Sequence, residues 1–229
     1  MSPSPPELLA LTCSRCGLSL DAGPETQVFV CRSCGLAFEP EAAQLREMAC
    51  AWASPTSQAA PTSGPQFLAF WRFPATVSVK YKRAEAMAPL AANWAAVVER
   101  AHPNPARLYV PAFALAKVVV QQLGVALVRA QPRLSLRKGL PVASGAEVEP
   151  HSGFGLLSPV LLTEADARLV AHFVYLALEA LLTPGLRSID YRLDCGSGEL
   201  VFLPAVCDRQ WVRGSNWRLL IQELDVEAD

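Results

Sequence analysis

Two short cysteine motifs near the start of the chain constrain its fold more than any other feature. Cys13-Ser-Arg-Cys16-Gly17 is followed, after residues 17–30, by Cys31-Arg-Ser-Cys34-Gly35. Each CxxC pair can form a knuckle, a tight turn that presents two sulfur atoms to one ion, and the glycine that follows allows positive φ without a Cβ clash. Four thiolates make the closed tetrahedral shell that structural Zn²⁺ prefers. The sequence therefore predicts one zinc ion bound by Cys13, Cys16, Cys31 and Cys34.

Strand-like segments flank the second knuckle and support a small β module. Val28-Phe29-Val30 enters the knuckle and Leu36-Ala37-Phe38 leaves it, while Asp21-Ala-Gly-Pro24 is typical of a turn. With its double CxxCG, the segment from about residue 11 to 40 resembles a zinc ribbon, a family of small four-cysteine β modules. The whole chain resembles bacterial proteins that join such a ribbon to a domain of unassigned function. The resemblance implies a bound metal and no particular task, because ribbons occur in transcription, replication, ribosomal and scaffolding proteins.

The cysteine pattern also bears on the type of site and on the compartment. A shell of four cysteines leaves no open coordination position, so a structural zinc is favoured over a catalytic one, with dithiol redox chemistry as the alternative. The first ten residues lack the basic segment of a secretory signal, and CxxC pairs without an export signal favour metal thiolates over disulfides. We therefore expect a cytoplasmic protein. The remaining cysteines, Cys50, Cys195 and Cys207, form no CxxC pair and are expected to be buried.

Composition and local patterns predict two folded parts. The 229 residues are 52% hydrophobic and 18% charged, which is typical of a folded chain. Residues 54–65 carry no charge and are rich in Pro, Ser, Thr and Ala, so we expect a linker there. The predicted division is a zinc ribbon with a short helix over 1–53, the linker over 54–65, and an α+β domain with a mainly antiparallel sheet over 66–229. Neither long apolar run, 111–128 or 167–182, is free enough of charged and polar residues to predict a membrane span.

Periodicity and turn residues predict the following elements. Helices are expected at 39–52, 86–100, 111–129 and 163–182, the last with a capping-box-like start at Thr163 and Asp166. Strands are expected at 66–74, 76–82, 108–110, 188–194 and 199–203, with a turn at 196–198, and a further strand pair at 209–212 and 216–224.

Catalytic motifs are missing from the sequence. It contains no GxGxxG, GxxxxGK[ST], GxSxG or HExxH pattern. His172 shares a helical stripe with Arg168, Tyr175 and Glu179, which could place a His–Glu acid–base pair on the last helix. A solvated outer helix face explains the same spacing and is the favoured interpretation. An enzymatic function would need a pocket that joins distant residues such as His151 and His172.

The formal net charge of −1 conceals a strong partition along the chain. Residues 1–50 carry −3, residues 66–140 carry +9, and residues 141–229 carry −7. Two clusters make the middle basic: Lys80, Lys82 and Arg83, and Arg129, Arg133, Arg137 and Lys138. Such clusters could bind an anionic partner such as nucleic acid. The favoured alternative is that the basic middle pairs with the acidic last third inside one fold.

These patterns favour a non-catalytic adaptor, in which a zinc ribbon is joined to an α+β domain that binds protein partners. The closed cysteine shell, the missing catalytic motifs, and the aromatic residues Trp52, Phe70 and Trp71 around the linker point this way. The alternative is a nucleic-acid-associated factor of transcription or replication that uses the basic clusters at 80–83 and 129–138. The acidic ribbon argues against a zinc module that itself grips DNA.

Overall fold

The computed structural model describes residues 10–41, 44–55, 66–84, 105–114, 116–139, 157–208 and 216–221. These residues contain nine strands: β1 Phe29–Val30, β2 Leu36–Glu41, β3 Gln44–Ala53, β4 Gln66–Ala84, β5 Arg107–Pro111, β6 Leu136–Lys138, β7 Leu186–Cys195, β8 Glu199–Asp208 and β9 Asn216–Leu219. They also contain two helices. Helix α1 is α-helical over Lys117–Val119, π-helical over Val120–Gly124 and α-helical over Val125–Ala130, and α2 is Glu164–Leu182.

The nine strands form one mixed sheet of order β1-β2-β3-β8-β4-β5, with β6 beside β3, β7 beside β4, and β9 beside β8. The β3–β8 pair is parallel, and the other strand pairs are antiparallel. The predicted α+β class with a mainly antiparallel sheet is therefore confirmed, together with an N-terminal cluster of four cysteines. None of the helices among the described residues is both long and apolar enough to cross a membrane.

The neighbouring strands β8, β4 and β5 form the core of the sheet. Their continuous apolar runs, such as 67–71 of β4 and 200–203 of β8, are almost completely buried, as expected for strands covered on both faces. Helix α2 packs its small and branched residues, Ala167, Ala171, Val174 and Leu178, into the same core. The indole N–H of Trp71 donates to the carbonyl of Leu162 at 2.9 Å, so the largest core side chain is also satisfied.

The helix predicted at 39–52 is wrong, because most of this segment forms β2 and β3. Phe38 lies opposite Glu47 and Leu36 opposite Ala49 in an antiparallel pair. The end of β3 then pairs with β8 on one side and with β6 on the other. Helical propensity is a weak preference, and hydrogen bonds to three neighbouring strands override it. The predicted boundary at 54–65 stays a prediction, and residues 56–65 lie outside the described residues.

The two strands predicted at 66–74 and 76–82 are one strand, β4. Its first half pairs with β8 and its second half pairs with β7. The turn predicted at 196–198 does not reverse the chain: β7 and β8 run in the same direction along β4, from Leu186 opposite Ala84 to Ala205 opposite Gln66. Three residues, 196–198, face two residues of β4, which makes a bulge where β4 changes partner. Pro74 lies at this interruption, where its missing N–H breaks no regular ladder.

Among the other predicted elements, one helix is confirmed, one begins later than predicted, and two elements are not described. The helix at 163–182 is confirmed, and the Thr163 hydroxyl caps it by accepting from the backbone N–H of Asp166 at 3.1 Å. The helix predicted from 111 begins later, at Lys117, because Pro111 belongs to β5. The helix predicted at 86–100 and the strand at 209–212 lie outside the described residues.

Candidate metal centre

Four cysteine sulfur atoms converge at the N-terminal end of the sheet. The Sγ atoms of Cys13, Cys16, Cys31 and Cys34 all lie within 4.8 Å of one another. The Sγ atoms of Cys13 and Cys34 are 3.4 Å apart, and those of Cys16 and Cys31 are 3.5 Å apart. Each close pair joins one knuckle to the other, so the two motifs share a single site.

The two knuckles have the same local geometry. The N–H of Gly17 donates to the carbonyl of Cys13 at 2.8 Å, and the N–H of Gly35 donates to that of Cys31 at 2.9 Å. The backbone N–H of Cys13 donates to the carbonyl of Leu18, and that of Cys31 donates to the carbonyl of Leu36, both at 2.8 Å. Gly17 has φ of 73° and Gly35 has φ of 71°, the left-handed conformation that a Cβ disfavours. The structure thus confirms the geometry expected from the repeated glycine.

This arrangement fits a tetrahedral metal ion. With metal–sulfur bonds of about 2.3 Å, tetrahedral geometry puts neighbouring sulfur atoms about 3.8 Å apart, within the range spanned by the cluster. A set of four thiolates suits a soft or borderline ion such as zinc. Cys13 and Cys31 are buried, Cys34 is half-buried and Cys16 is exposed, so the site lies at the surface of the module with one side shielded.

The thiols of the cluster differ in acidity. Burial raises the pKa of Cys31 to about 12. At Cys13 burial also acts to raise the pKa, but backbone hydrogen bonds from Cys16 and Arg15 outweigh it and bring the pKa to about 7. Because a metal must displace the protons of its thiol ligands, binding at this site is coupled to proton release.

A small apolar cluster and a buried thiol support the knuckles. Leu20, Phe29 and Phe38 pack with Cys13 and Cys31 beneath the sulfur atoms. Cys50, on β3, is only 2% exposed, as predicted, and its thiol donates to the carbonyl of Gly35 at 3.1 Å. The cluster is therefore attached to the strand that enters the main sheet. Cys195 is half-buried, and the side chain of Cys207 lies outside the described residues.

A buried carboxylate joins the cysteine module to helix α2. Glu39 of β2 is 6% exposed, forms an ion pair with Arg46 of β3, and accepts a hydrogen bond from the N–H of Glu164. Arg46 also reaches the Glu164 carboxylate at 3.4 Å. Glu164 in turn binds the guanidinium of Arg168 and the backbone N–H of Gly198. This polar network links β2, β3, α2 and the bulge before β8, and no local sequence pattern predicts it.

The basic cluster at 80–83 is largely neutralised within the fold. Lys80 lies 3.7 Å from Asp190, and Lys82 forms an ion pair with Glu179, which is completely buried. Arg72 pairs with Glu199 in the same way. For these three cations the predicted pairing with the acidic last third is confirmed. Arg83 is exposed.

The second cluster, at 129–138, has a different environment. Arg129, Arg133, Arg137 and Lys138 are all exposed. Arg129 lies in the last turn of α1, Arg137 and Lys138 are in β6, and the Arg137 guanidinium lies 5.4 Å from the centre of the Trp52 ring. The two clusters therefore differ: Lys80 and Lys82 form ion pairs within the fold, whereas the four cations at 129–138 are exposed.

The polar stripe of α2 does not face solvent, so the favoured interpretation of it is wrong. Tyr175 and Glu179 are 0% exposed, because this side of α2 packs against the paired strands β4 and β7. The Tyr175 hydroxyl donates to Glu179, and His172 Nδ1 lies 3.0 Å from the hydroxyl of Tyr191. Burial and the neighbouring carboxylate raise the pKa of Tyr175. His151 lies outside the described residues, so the proposed His151–His172 pocket stays untested.

Comparison with known proteins finds no match to the chain. No protein-family model, curated protein or solved structure matches the chain.

Proposed function

We propose that the chain is a non-catalytic adaptor that binds one structural zinc ion in an N-terminal zinc ribbon. The cluster of four cysteine sulfur atoms carries the proposal, since four thiolates fill a tetrahedral ion and leave no position for substrate. Bound zinc would cross-link two knuckles that otherwise rest on a very small apolar cluster. The proposed compartment is the cytoplasm, where thiols stay reduced and available as metal ligands.

The outer face of α2 supports the proposed binding of protein partners. Leu169 is 66% exposed, Phe173 is 65% exposed and Leu181 is 55% exposed, and Ala165 and Ala180 lie exposed between and beside them. The opposite face of the same helix is buried in the core. A helix that is apolar on both faces is typical of one covered on both sides. We therefore assign the protein-binding surface to this outer face.

The metal is tested by elemental analysis of the purified chain. We expect about one zinc per chain, the stoichiometry of a single closed site. Cys13→Ser and Cys34→Ser should lower the zinc content and unfold the ribbon, whereas Cys195→Ser, which removes a half-buried thiol elsewhere, should retain the zinc. A folded chain without metal, or equal loss of zinc in all three variants, would contradict the assignment.

The adaptor function is tested by affinity capture from native lysate with matched variants. Leu169→Asp/Phe173→Asp should abolish capture of a stoichiometric partner, because two charges would have to be buried in the interface. Thr76→Asp/Ser78→Asp, on the exposed polar side of β4, adds the same charge and should retain capture. Equal capture by both variants contradicts the surface. A lower melting temperature of the α2 variant in the absence of partner would show that the chain covers this face itself.

A further inference from the structure

One long section of the chain contains no acidic residue. Between Glu99 and Glu147 there is no Asp or Glu, while the same stretch contains seven Lys and Arg residues. Six of the seven are described and exposed: Lys117, at the start of α1, and five others. We refer to these five as the basic edge: Arg107, Arg129, Arg133, Arg137 and Lys138.

The five residues follow one path along the chain, from the start of β5 past the end of α1 to β6, and β5 and β6 lie at opposite edges of the sheet. Gln131, which ends α1 in a left-handed conformation, donates to the carbonyl of Arg107 at 2.7 Å and accepts from its N–H at 3.1 Å. This double contact holds the start of β5 beside the end of α1, so Arg107 lies near Arg129. The chain then continues through Arg133 into β6, where Arg137 pairs with Trp52 and Lys138 with Ala51 of β3.

The basic edge lacks the counter-charges found elsewhere. Of the ion pairs formed between described residues, none involves any of its five cations. By contrast, Lys82 is paired with a buried glutamate and Lys80 with Asp190. Neighbouring like charges repel, and a ligand that carries several negative charges relieves that repulsion and releases its own counterions.

The chemistry of the surface favours phosphate over an acidic protein. Four of the five cations are arginines, whose planar forks suit phosphate oxygens. Protein interfaces normally have an apolar centre. The large exposed hydrophobic side chains of the described residues lie elsewhere, and none falls within 129–138. The ring of Trp52 is buried beneath Arg137, so it offers no exposed platform for stacking a base.

We propose that the basic edge binds the sugar-phosphate backbone of nucleic acid without reading its sequence. The site is separate from the outer face of α2, so it adds a second ligand to the proposed adaptor. It also restricts the nucleic-acid hypothesis to one of the two basic clusters, because the Lys82 side chain is only 11% exposed and its ammonium is held in an ion pair.

The proposal is tested by binding of the zinc-loaded full chain to fluorescent mixed-sequence oligonucleotides over a range of salt concentrations. Arg129→Gln/Arg133→Gln/Lys138→Gln removes three charges from the basic edge and leaves Arg137 in its contact with Trp52. It should weaken binding at least about tenfold, equally for unrelated sequences, and reduce the slope of log affinity against log salt by about 2 to 3. The control Lys80→Gln/Arg83→Gln/Arg192→Gln removes the same charge from β4 and β7 and should bind like the unmodified chain.

Three results would overturn the proposal. The first is no binding of the unmodified chain at about 50 mM salt, where phosphate contacts are strongest. The second is equal weakening by the two triple variants, which would indicate attraction by overall charge. The third is competition by polyglutamate as effective as by an oligonucleotide of equal charge, which would indicate an acidic protein partner. Circular dichroism and zinc content establish that both variants are folded.

Discussion

Glu39 accepts a hydrogen bond from the backbone N–H of Glu164, the first residue of α2, at 2.8 Å. The first N–H groups of a helix have no partner within it, and a carboxylate there also complements the positive end of the helix dipole. Thr163 satisfies the N–H of Asp166 locally, whereas Glu39 reaches α2 from β2, the strand that leaves the second knuckle. The cysteine module is therefore hydrogen-bonded to the helix that carries the proposed protein-binding face.

Replacement of Glu39 should destabilise the chain. Glu39→Ala removes a nearly buried carboxylate that bonds both Arg46 and the start of α2, so we expect a loss of about 2 kcal/mol in the free energy of unfolding. The control is Glu41→Ala: Glu41 is 70% exposed and 3.7 Å from the same arginine, and its loss should cost less than about 0.5 kcal/mol. Urea unfolding of the zinc-loaded variants measures both values. Equal small losses would show that the contact with α2 contributes nothing.

The bulge before β8 should tolerate a methyl group at one glycine and not at the other. A Cβ at Gly198 would lie 2.6 Å from the Phe73 ring and 3.0 Å from that of Trp71, both buried in the core. We expect Gly198→Ala to lower the free energy of unfolding by about 1 to 3 kcal/mol, the usual cost of overpacking. Gly196→Ala should be nearly neutral, since its Cβ would meet Pro74 at an ordinary 3.4 Å. Thermal unfolding of the two variants checks this, and similar melting temperatures would contradict it.

The features predicted correctly from the sequence are those with local causes. A CxxCG knuckle is fixed by residues within one turn, so its repetition predicted both the left-handed Gly17 and Gly35 and the convergence of four sulfur atoms. The start of α2 was predictable because the Thr163 hydroxyl and the Asp166 N–H are three residues apart. The knuckle turns and the helix cap are each complete within a short segment, and the convergence of the sulfur atoms needs only two copies of the same knuckle.

The errors concern contacts between distant segments. Residues 44–53 have acceptable helical spacing, but Cys50 and Trp52 pair with Leu200 and Phe202 of β8, about which the local sequence carries no information. The glycines at 196 and 198 are typical of a reversing turn, yet the 19-residue β4 provides partners for the strands on both sides of them. The stripe of α2 that includes Glu179 looked solvent-facing because its partner, Lys82, lies 97 residues earlier.

Breaking the buried ion pair of Lys82 and Glu179 should lower the free energy of unfolding strongly, whereas replacing the whole pair with apolar residues should lower it little. Glu179→Gln leaves the Lys82 ammonium without its counter-charge, and we expect a loss of about 3 to 5 kcal/mol. Lys82→Met/Glu179→Leu/Tyr175→Phe removes the whole polar set and should recover most of that stability. Lys80→Met, which breaks the exposed pair with Asp190, should cost less than about 1 kcal/mol. Chemical unfolding compares the three variants. A Glu179→Gln loss as small as that of Lys80→Met would show that the pair is solvated.

The stability contributed by Glu164 should depend on pH. Burial acts to raise the pKa of this carboxyl, but hydrogen bonds from Gly198, Arg168 and Arg46 outweigh it, and the pKa in the folded chain is lowered. A lowered pKa means that the ionised group stabilises the fold above the unfolded value of about 4.3, and that this contribution is lost as the pH falls through the folded value. The difference in free energy of unfolding between the unmodified chain and Glu164→Gln should therefore be constant near neutral pH and shrink below about pH 4 to 5. Zinc release in acid affects both proteins and largely cancels in the difference. A difference that stays constant down to pH 3, or grows as the pH falls, would show that the ionised carboxylate is not what stabilises the junction between α2 and the bulge.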